Sequence, residues 1–173
     1  MAVARDASDG VVLVVPADDV GVEGGVAGGE TRSESVRNGL AAVPRDASII
    51  CVHDAARPFA TVELYAAVVT AVLGGADCAV QGIAVTDTIK IVDAHGTVVS
   101  TPERGSLRAV QTPQAFRSGV LRAAHATSAE GTDDAALVEA MGGTVVVVAG
   151  SEDNRKITYP ADLEWARSTV GAA

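Results

Sequence analysis

The stretch at residues 49–58, Ile-Ile-Cys-Val-His-Asp-Ala-Ala-Arg-Pro, decides the fold of this chain. Its first four residues are apolar and rich in β-branched side chains, which predicts a short buried strand. Asp54 and Arg57 follow that strand directly. Because ligands of open α/β sheets bind outside the carboxyl ends of the strands, this acid and base indicate a phosphate or metal site. A strand that leads into a capped turn would explain the same residues.

The composition indicates an α/β domain. Of 173 residues, 48% are hydrophobic but only 3% are aromatic, so the core must consist mainly of Val, Ala, Leu and Ile. Such a core suits a parallel sheet with helices on both faces. We therefore predict a single domain over residues 1–173.

The charge pattern limits the class of partner. The net charge is −9, and no cluster of Lys or Arg occurs, which argues against nucleic acid. A few well-placed cations are nevertheless enough to bind a phosphorylated small molecule. The net charge therefore does not exclude a phosphorylated small molecule as the partner.

Cysteine use and hydropathy indicate the compartment. Cys51 and Cys78 lie in separate apolar runs without a Cys-x-x-Cys motif, which favours buried, reduced thiols. No apolar run approaches the roughly 18 residues of a membrane helix, and no signal peptide begins the chain. We expect a cytoplasmic protein that does not contact a membrane.

Predicted strands and helices alternate along the chain. The predicted strands cover residues 11–15, 49–52, 76–84, 107–111 and 144–149. The predicted helices begin near Thr31, Thr61, Phe116, Thr132 and Pro160. Thr132 is the expected N-cap of its helix, residues 112–114 are expected to form a turn, and His125 is expected at the surface. This alternation predicts a doubly wound, mostly parallel sheet.

Residues 86–104 interrupt the alternation. Two β-branched runs flank Asp93-Ala94-His95-Gly96, which predicts a β-hairpin that projects as an arm. His95 lies at the tip, where a turn explains it better than catalysis does.

Residues 21–29 contain five glycines and precede a helix start. Thr31 and Glu34 have the spacing of a capping box. Gly29, Arg32 and Ser35 could cradle a nucleotide through backbone N–H groups, the helix dipole and a cation. A flexible loop is the other interpretation of the same glycines.

Seven short motifs occur in a characteristic order. They are Gly28-Gly29-x-x-Arg32-x-x-Ser35-Val36, residues 52–58, Asp87-Thr88-Ile89-Lys90, Thr101-Pro102-Glu103-Arg104, Gln111-Thr112-Pro113-Gln114, Thr132-Asp133-Asp134 and Asp153-Asn154-x-Lys156-x-Thr158. By these motifs the chain resembles the 2-C-methyl-D-erythritol 4-phosphate cytidylyltransferase family of the non-mevalonate isoprenoid pathway. The resemblance implies a Rossmann-like nucleotidyltransferase that uses Mg2+ to transfer CMP from CTP to a sugar-alcohol phosphate, releasing pyrophosphate.

The resemblance also implies roles for single residues. The nucleotide would contact Gly29, Arg32, Ser35, Asp54 and Ala55, and the metal would be held by Asp54 and Asp153. The sugar phosphate would contact Arg57, Thr88, Thr112 and Thr132, and the catalytic residues would be Asp54, Arg104 and Lys156. Thr88 and Arg104 would act in the site of a second subunit, in a homodimer formed through the arm.

This chemistry needs no protein nucleophile. Nucleotidyl transfer joins two polyanions, so positioning and charge neutralisation by Arg, Lys and a carboxylate-bound cation suffice. The absence of a Ser-His or Cys-His pair is consistent with that mechanism.

The chain departs from the family at its beginning. The family's Pro-Ala-Ala-Gly-x-Gly-x-Arg-Met loop and its Pro-Lys-Gln are absent, and residues 14–17 are followed by two aspartates. One lost phosphate-binding donor lowers a rate by about 10²–10³, so we expect these residues alone to be inactive. We also expect the strands at residues 11–15 and 49–53 to lack a shared neighbour. Either the start is misassigned, which the complete downstream motifs favour, or the chain is a truncated homologue.

Two other functions fit parts of the pattern. A ribitol-5-phosphate cytidylyltransferase shares the Asp-Ala-x-Arg-Pro element, although Ala55-Ala56 and the Thr101–Arg104 motif favour methylerythritol phosphate. A catalytically inactive homologue that dimerises through residues 86–100 is the non-enzymatic alternative.

Overall fold

A computed structural model describes residues 2–21, 25–126 and 130–171. The strands are β1 (Val14–Val15), β2 (Val26–Ala27), β3 (Ile49–Val52), β4 (Cys78–Ala84), β5 (Ile91–Val92), β6 (Val98–Ser100), β7 (Arg108–Arg117) and β8 (Val145–Ala149). The helices are α1 (Ala2–Asp6), α2 (Arg32–Ala42), α3 (Val62–Leu73), α4 (Ser118–Ala124), α5 (Asp134–Ala140) and α6 (Pro160–Gly171). Alternation of strands and helices confirms the predicted α/β class.

The central sheet has four strands in the order β3-β7-β4-β8. β4 pairs with β8 in parallel, whereas β7 is antiparallel to both β3 and β4. Three of the four strands therefore point the same way, as expected for a mostly parallel sheet. β7 runs in the opposite direction because the chain leaves β4 through the arm and returns without a crossover helix.

β7 corrects the prediction for residues 107–126. We expected a short strand, a turn at residues 112–114 and a helix from Phe116; instead one strand continues through Arg117. Val80 pairs with Gln114 and Gln81 with Gln111, so a bulge leaves Pro113 opposite no residue of β4. A bulge tolerates proline because no ladder N–H is needed there. Phe116 is fully buried in the strand, and α4 begins only at Ser118.

Helices cover both faces of the sheet. Cys78 and Val80 of β4 face a core that includes side chains of α2, α4 and α5. Ala79, between them, faces Val68 and Val72 of α3 on the opposite side. This period-2 alternation along a strand buried on both faces produces the predicted doubly wound arrangement.

The predicted helix cap is confirmed at α2 and is wrong at α5. The Glu34 N–H donates to Thr31 Oγ1 at 3.1 Å, and the Glu30 N–H donates to Glu34 Oε2 at 2.7 Å. This confirms the capping interaction predicted for α2. At α5 the N-cap is Asp133, whose Oδ1 accepts the Ala136 N–H at 2.9 Å, and not Thr132. The helix begins one residue later than the Thr132 prediction requires.

The first strands form a separate unit. β1 and β2 make a two-stranded parallel sheet, shorter than the strand predicted at residues 11–15. β2 lies within the predicted glycine loop, of which residues 22–24 lie outside the described residues. β3 pairs with β7, and no described strand pairs with its other edge. The missing shared neighbour of residues 11–15 and 49–53 stays a prediction.

The hairpin arm is confirmed. β5 and β6 pair antiparallel in a sheet of their own, and Gly96 adopts a φ of +82° in the turn. Asp93 Oδ1 accepts the N–H groups of His95 and Thr97, each at 2.9 Å. Five large apolar side chains of the arm are 40–66% exposed, namely Ile89, Ile91, Val92, Val98 and Val99.

Both cysteines are free, and burial explains their low reactivity. Cys78 is buried and Cys51 half-buried. Burial raises the pKa of Cys51 to about 11 and raises that of Cys78 as well, so both are thiols at neutral pH. None of the described helices is long and apolar enough to cross a bilayer.

Candidate functional site

A carboxylate held between two cations lies at the carboxyl end of β3. Asp54 Oδ2 accepts a hydrogen bond from Lys156 Nζ at 3.1 Å, and its Oδ1 lies 3.7 Å from Arg32 Nε. Arg32 begins α2, and Lys156 lies between β8 and α6. Three distant segments thus converge where the sequence predicted an anion or metal site.

A second carboxylate, that of the buried Asp134, also contacts Arg32. Arg32 Nη2 lies 2.7 Å from Asp134 Oδ2, and Asp134 is fully buried at the start of α5. Burial alone raises the pKa of Asp134, but the hydrogen bond with His125 and the ion pair with Arg32 outweigh burial and lower that pKa. Asp134 is therefore a carboxylate at neutral pH. We call Arg32, Asp54, Asp134 and Lys156 the Asp54 cluster.

His125 is buried, which contradicts the predicted surface position. Its side chain is 2% exposed, and Nε2 lies 2.9 Å from Asp134 Oδ1. It follows α4 at the C-cap and faces the first residue of α5. A polar group can be buried when a partner satisfies it, and here the partner comes from the next helix.

Thr112 fixes the backbone of Asp54. Its Oγ1 accepts the Asp54 N–H at 3.0 Å and lies 3.1 Å from His53 Nδ1. His53 Nε2 lies 3.1 Å from the Arg57 carbonyl oxygen, which can only accept, so Nε2 carries the proton of the neutral ring. The Thr112 hydroxyl therefore donates to Nδ1. Burial lowers the pKa of His53, which favours that neutral ring, although the Arg57 carbonyl and the charge of Asp54 act against it.

Asn154 ties the segment after β8 to the sheet. Its carbonyl oxygen accepts from Arg57 Nη1 at 2.8 Å, which places Arg57 beside the Asp54 cluster. Its fully buried side chain donates to the Thr112 carbonyl at 2.8 Å and to Gln81 Oε1 at 3.2 Å. Neither Asn154 nor Gln81 received a role from the sequence. The available signal was Gln81 inside the otherwise apolar run of residues 78–84.

The predicted nucleotide loop is ordered by its own side chains. The Gly29 N–H donates to Ser35 Oγ at 3.0 Å, and Ser35 Oγ donates to the Thr31 carbonyl at 2.9 Å. A Cβ at Gly29 would collide with the capping side chain of Glu34. Of the predicted nucleotide contacts, Arg32 and Asp54 are brought together directly, and Ala55 follows Asp54 in the chain.

Four predicted site residues lie outside this group of contacts. Thr88 and Arg104 are exposed in the arm, where Arg104 Nη1 donates to the Thr86 carbonyl at 2.8 Å. Thr132 is exposed just before α5, and the Asp153 N–H donates to Ser151 Oγ at 3.2 Å. None of their hydrogen bonds in the described part of the chain reaches the Asp54 cluster. Their functional roles stay predictions.

The site offers carboxylate oxygens, a kind of ligand that commonly binds Mg2+. Mg2+ is usually bound by one or two carboxylates, and waters and substrate phosphates complete its shell. Asp54, whose side chain is 19% exposed, offers a carboxylate at the site, and Asp153 offers a second in the segment that carries Lys156. No group of three or more potential ligand side chains occurs within residues 2–21, 25–126 and 130–171. Mg2+ binding stays a prediction.

Comparisons with known proteins place the chain beside one family. The family described as 2-C-methyl-D-erythritol 4-phosphate cytidylyltransferase matches residues 1–172. A protein of that name from Frankia casuarinae is 50% identical over 146 residues, 84% of this chain and 55% of its own length. One from Nocardia farcinica is 46% identical over 160 residues, 92% of this chain and 68% of its own length. The chain thus spans little more than half of the Frankia relative.

Solved structures show the same likeness. The Thermus thermophilus structure of that name has a TM-score of 0.84 and 34% identity, over 98% of this chain and 85% of that one. A 4-diphosphocytidyl-2C-methyl-D-erythritol synthase from Anaerococcus prevotii has a TM-score of 0.89 and 30% identity, over 98% and 86%.

Proposed function

This chain belongs to the 2-C-methyl-D-erythritol 4-phosphate cytidylyltransferase family, and we propose that it transfers CMP from CTP to 2-C-methyl-D-erythritol 4-phosphate. The observation that carries the proposal is the Asp54 carboxylate between Lys156 and Arg32, with Arg57 beside it. A cation-rich group with one hard oxygen ligand suits two phosphorylated substrates and a divalent metal.

The residues would act by positioning and charge neutralisation. A phosphate oxygen of the acceptor attacks the α-phosphorus of CTP, and the bond from that phosphorus to the pyrophosphate oxygen breaks. Bound Mg2+, held by Asp54 and Asp153, would neutralise part of the triphosphate charge. Lys156 and Arg32 would offset charge that develops on the phosphate oxygens, and Arg57 would hold the acceptor phosphate.

Thr112 and Asn154 would act indirectly. Thr112 holds the Asp54 backbone, and Asn154 holds both Arg57 and the segment that leads to Lys156. Such contacts fix the charged groups before substrate arrives, which lowers the free energy needed to arrange them.

Turnover tests the proposal directly. Pyrophosphate release is measured with the 173-residue chain, CTP, Mg2+ and methylerythritol phosphate, and binding of CTP is measured by calorimetry. Since we expect these residues alone to be inactive, the variants are compared by their binding of CTP with Mg2+. Asp54→Asn is expected to weaken this binding, and Asp46→Asn, the same change at an exposed loop carboxylate, is expected to preserve it. Equal behaviour of the two variants would refute the role of Asp54.

The acceptor is tested with a second substrate. Ribitol 5-phosphate, assayed in parallel, is expected to give no product. Turnover of ribitol phosphate alone would instead identify the other cytidylyltransferase. CTP binding without release of pyrophosphate from either acceptor would agree both with the expected inactivity of these residues alone and with an inactive homologue.

We further propose a homodimer that forms through the arm and acts in the cytoplasm. The exposed apolar side chains of residues 89–99 support an interface there, and Thr88 and Arg104 would then reach the second subunit's site. Light scattering is expected to show that Val98→Ser weakens the dimer. Val62→Ser, at an exposed valine on α3, is the control and should leave the dimer unchanged. A dimer that survives Val98→Ser and deletion of residues 91–99 would refute the arm interface.

A further inference from the structure

His125 is a buried polar side chain without a role in the proposed reaction. It lies at the end of α4 and is 6% exposed as a residue. Its Nε2 lies 2.9 Å from Asp134 Oδ1, while Nδ1 is buried without a hydrogen-bond partner among the described residues. Among the described residues, Asp134 is therefore the hydrogen-bond partner that holds the His125 ring.

Asp134 connects His125 to Arg32, because its carboxylate contacts both side chains. Because a carboxylate oxygen can only accept a hydrogen bond, His125 Nε2 must carry a hydrogen and donate a hydrogen bond to Asp134 Oδ1. The other oxygen, Oδ2, lies 2.7 Å from Arg32 Nη2. His125 thus contacts one oxygen of this fully buried carboxylate through a hydrogen bond, and Arg32 contacts the other oxygen as an ion pair.

Arg32 needs such an anchor. Its side chain is 33% exposed and lies 3.7 Å from Asp54, longer than a good hydrogen bond, so that contact alone does not orient the guanidinium. The 2.7 Å contact with Asp134 is the short one. If Asp134 lost its partner at Oδ1, its carboxylate could rotate or become protonated, and Arg32 would lose its fixed orientation.

We infer that His125 is a positioning residue that, through Asp134, holds the Arg32 guanidinium in the orientation in which it binds the nucleotide. The line of contacts runs from the end of α4 through the start of α5 to the start of α2 and ends beside Asp54. The nucleotide part of this inference rests on the proposed function. The effect of His125 on the order of Arg32 does not.

Three substitutions at His125 separate the hydrogen bond from the volume of the ring. His125→Leu removes the hydrogen-bond donor and fills the space of the ring with an apolar side chain. His125→Gln keeps an N–H donor that can reach Asp134. His125→Asn is polar but too short to reach, and it serves if the leucine variant does not fold. Leu121→Ala is the control, because Leu121 is fully buried in α4, the helix that His125 caps, but its apolar side chain cannot donate a hydrogen bond to Asp134.

The readout without nucleotide is the arginine Nε–Hε signal of Arg32 in a proton–nitrogen correlation spectrum, assigned by its loss in Arg32→Lys. In the wild type and in His125→Gln we expect a sharp signal, protected from solvent exchange. In His125→Leu and His125→Asn we expect it to broaden or to move to the position of free arginine. Leu121→Ala should lower the melting temperature and leave the signal in place. An unchanged Arg32 signal in the leucine and asparagine variants would overturn the inference.

Calorimetric titration with CTP and Mg2+ tests the link to binding. We expect affinity about tenfold weaker in His125→Leu, as for the loss of one charge-assisted hydrogen bond, and near-normal affinity in His125→Gln. If the wild type does not bind CTP, the proposed function fails, and the Arg32 signal still decides whether His125 positions Arg32. A moved Arg32 signal with unchanged CTP affinity would overturn the nucleotide part alone.

Discussion

The Asp54 cluster and the β5–β6 arm both carry predicted site residues, but they are held in opposite ways. In the cluster, Asp134 is fully buried and each charged group meets an opposite charge from another segment of the chain. In the arm, Val99 is 66% exposed, and a side-chain hydrogen bond joins Lys90 to Thr101 at 2.8 Å across the two strands. The geometry of the cluster is therefore set by contacts within one chain, whereas the apolar side chains of the arm are exposed to solvent.

The largest expected effect tests whether the cluster is fixed from within. Asp134→Ala leaves Arg32 and His125 without the carboxylate that both contact, so it should lower the free energy of unfolding by about 3–5 kcal/mol, as for a broken buried ion pair. Urea unfolding followed by circular dichroism measures the loss. The matched change Asp46→Ala, at an exposed acid, should stay within about 0.5 kcal/mol. A loss below about 1 kcal/mol in Asp134→Ala would remove the contrast with the arm.

A pair of threonines compares the two regions with the same substitution. Thr112→Val removes the hydroxyl that accepts the Asp54 N–H and donates to His53, and it should cost about 1–3 kcal/mol. Thr101→Val removes an exposed acceptor for Lys90 in the arm and should cost less than about 0.5 kcal/mol. Chemical denaturation of both variants gives the two values, and equal losses would contradict the comparison.

The pH dependence of stability should reveal His53. Burial, the largest contribution, lowers its pKa in the folded chain below the ordinary value of 6.5, so below that value the unfolded chain binds more protons. The stability from the neutral ring is fully present above pH 6.5 and is lost as the pH falls towards the lower folded pKa. Unfolding experiments between about pH 5 and pH 8 should show this decline in the wild type and a smaller one in His53→Gln. The same slope in both proteins would show that His53 does not cause it.

The smallest change in the free energy of unfolding is expected for a substitution in the arm. Val99→Ser should change the free energy of unfolding by no more than about 0.5 kcal/mol at concentrations where the chain is a monomer, because the side chain is already in water. Val68→Ser, the same substitution at a fully buried position on α3, should destabilise strongly. Thermal melts at several protein concentrations separate folding from association. A large loss in the Val99 variant at low concentration would mean that the arm packs within its own chain.

Local signals predicted most of the strands and the cap of α2, because the groups involved are near neighbours in sequence. Thr31 and Glu34 lie within one helical turn, so their spacing was visible. Within β7, the prediction of a turn at residues 112–114 and of a helix from Phe116 was wrong, because Pro113 normally ends a strand. What overrides that preference is a bulge against β4, a segment about thirty residues away.

The charged contacts of the site were also hard to predict, because they join residues that are distant in sequence. Asp54 and Lys156 are separated by 102 positions, and only the resemblance to a family placed them in one site. The contact between His125 and Asp134 spans nine positions and two helices, and no periodicity indicated it. A single sequence shows which side chains are polar, but not which distant partner allows one of them to be buried.

The separate β1–β2 sheet has a consequence for motion. The Val26 N–H donates to the Leu13 carbonyl and Asn38 to the Ala27 carbonyl, so this small sheet is tied to α2, and no described backbone ladder joins it to the central sheet. Such a small sheet can open while the central sheet stays closed, and its amides would exchange with deuterium faster than those of β4. Since β2 leads directly into the start of α2, each opening would also disturb the loop that precedes Arg32. Nucleotide binding would then be visible as slower exchange across residues 25–42.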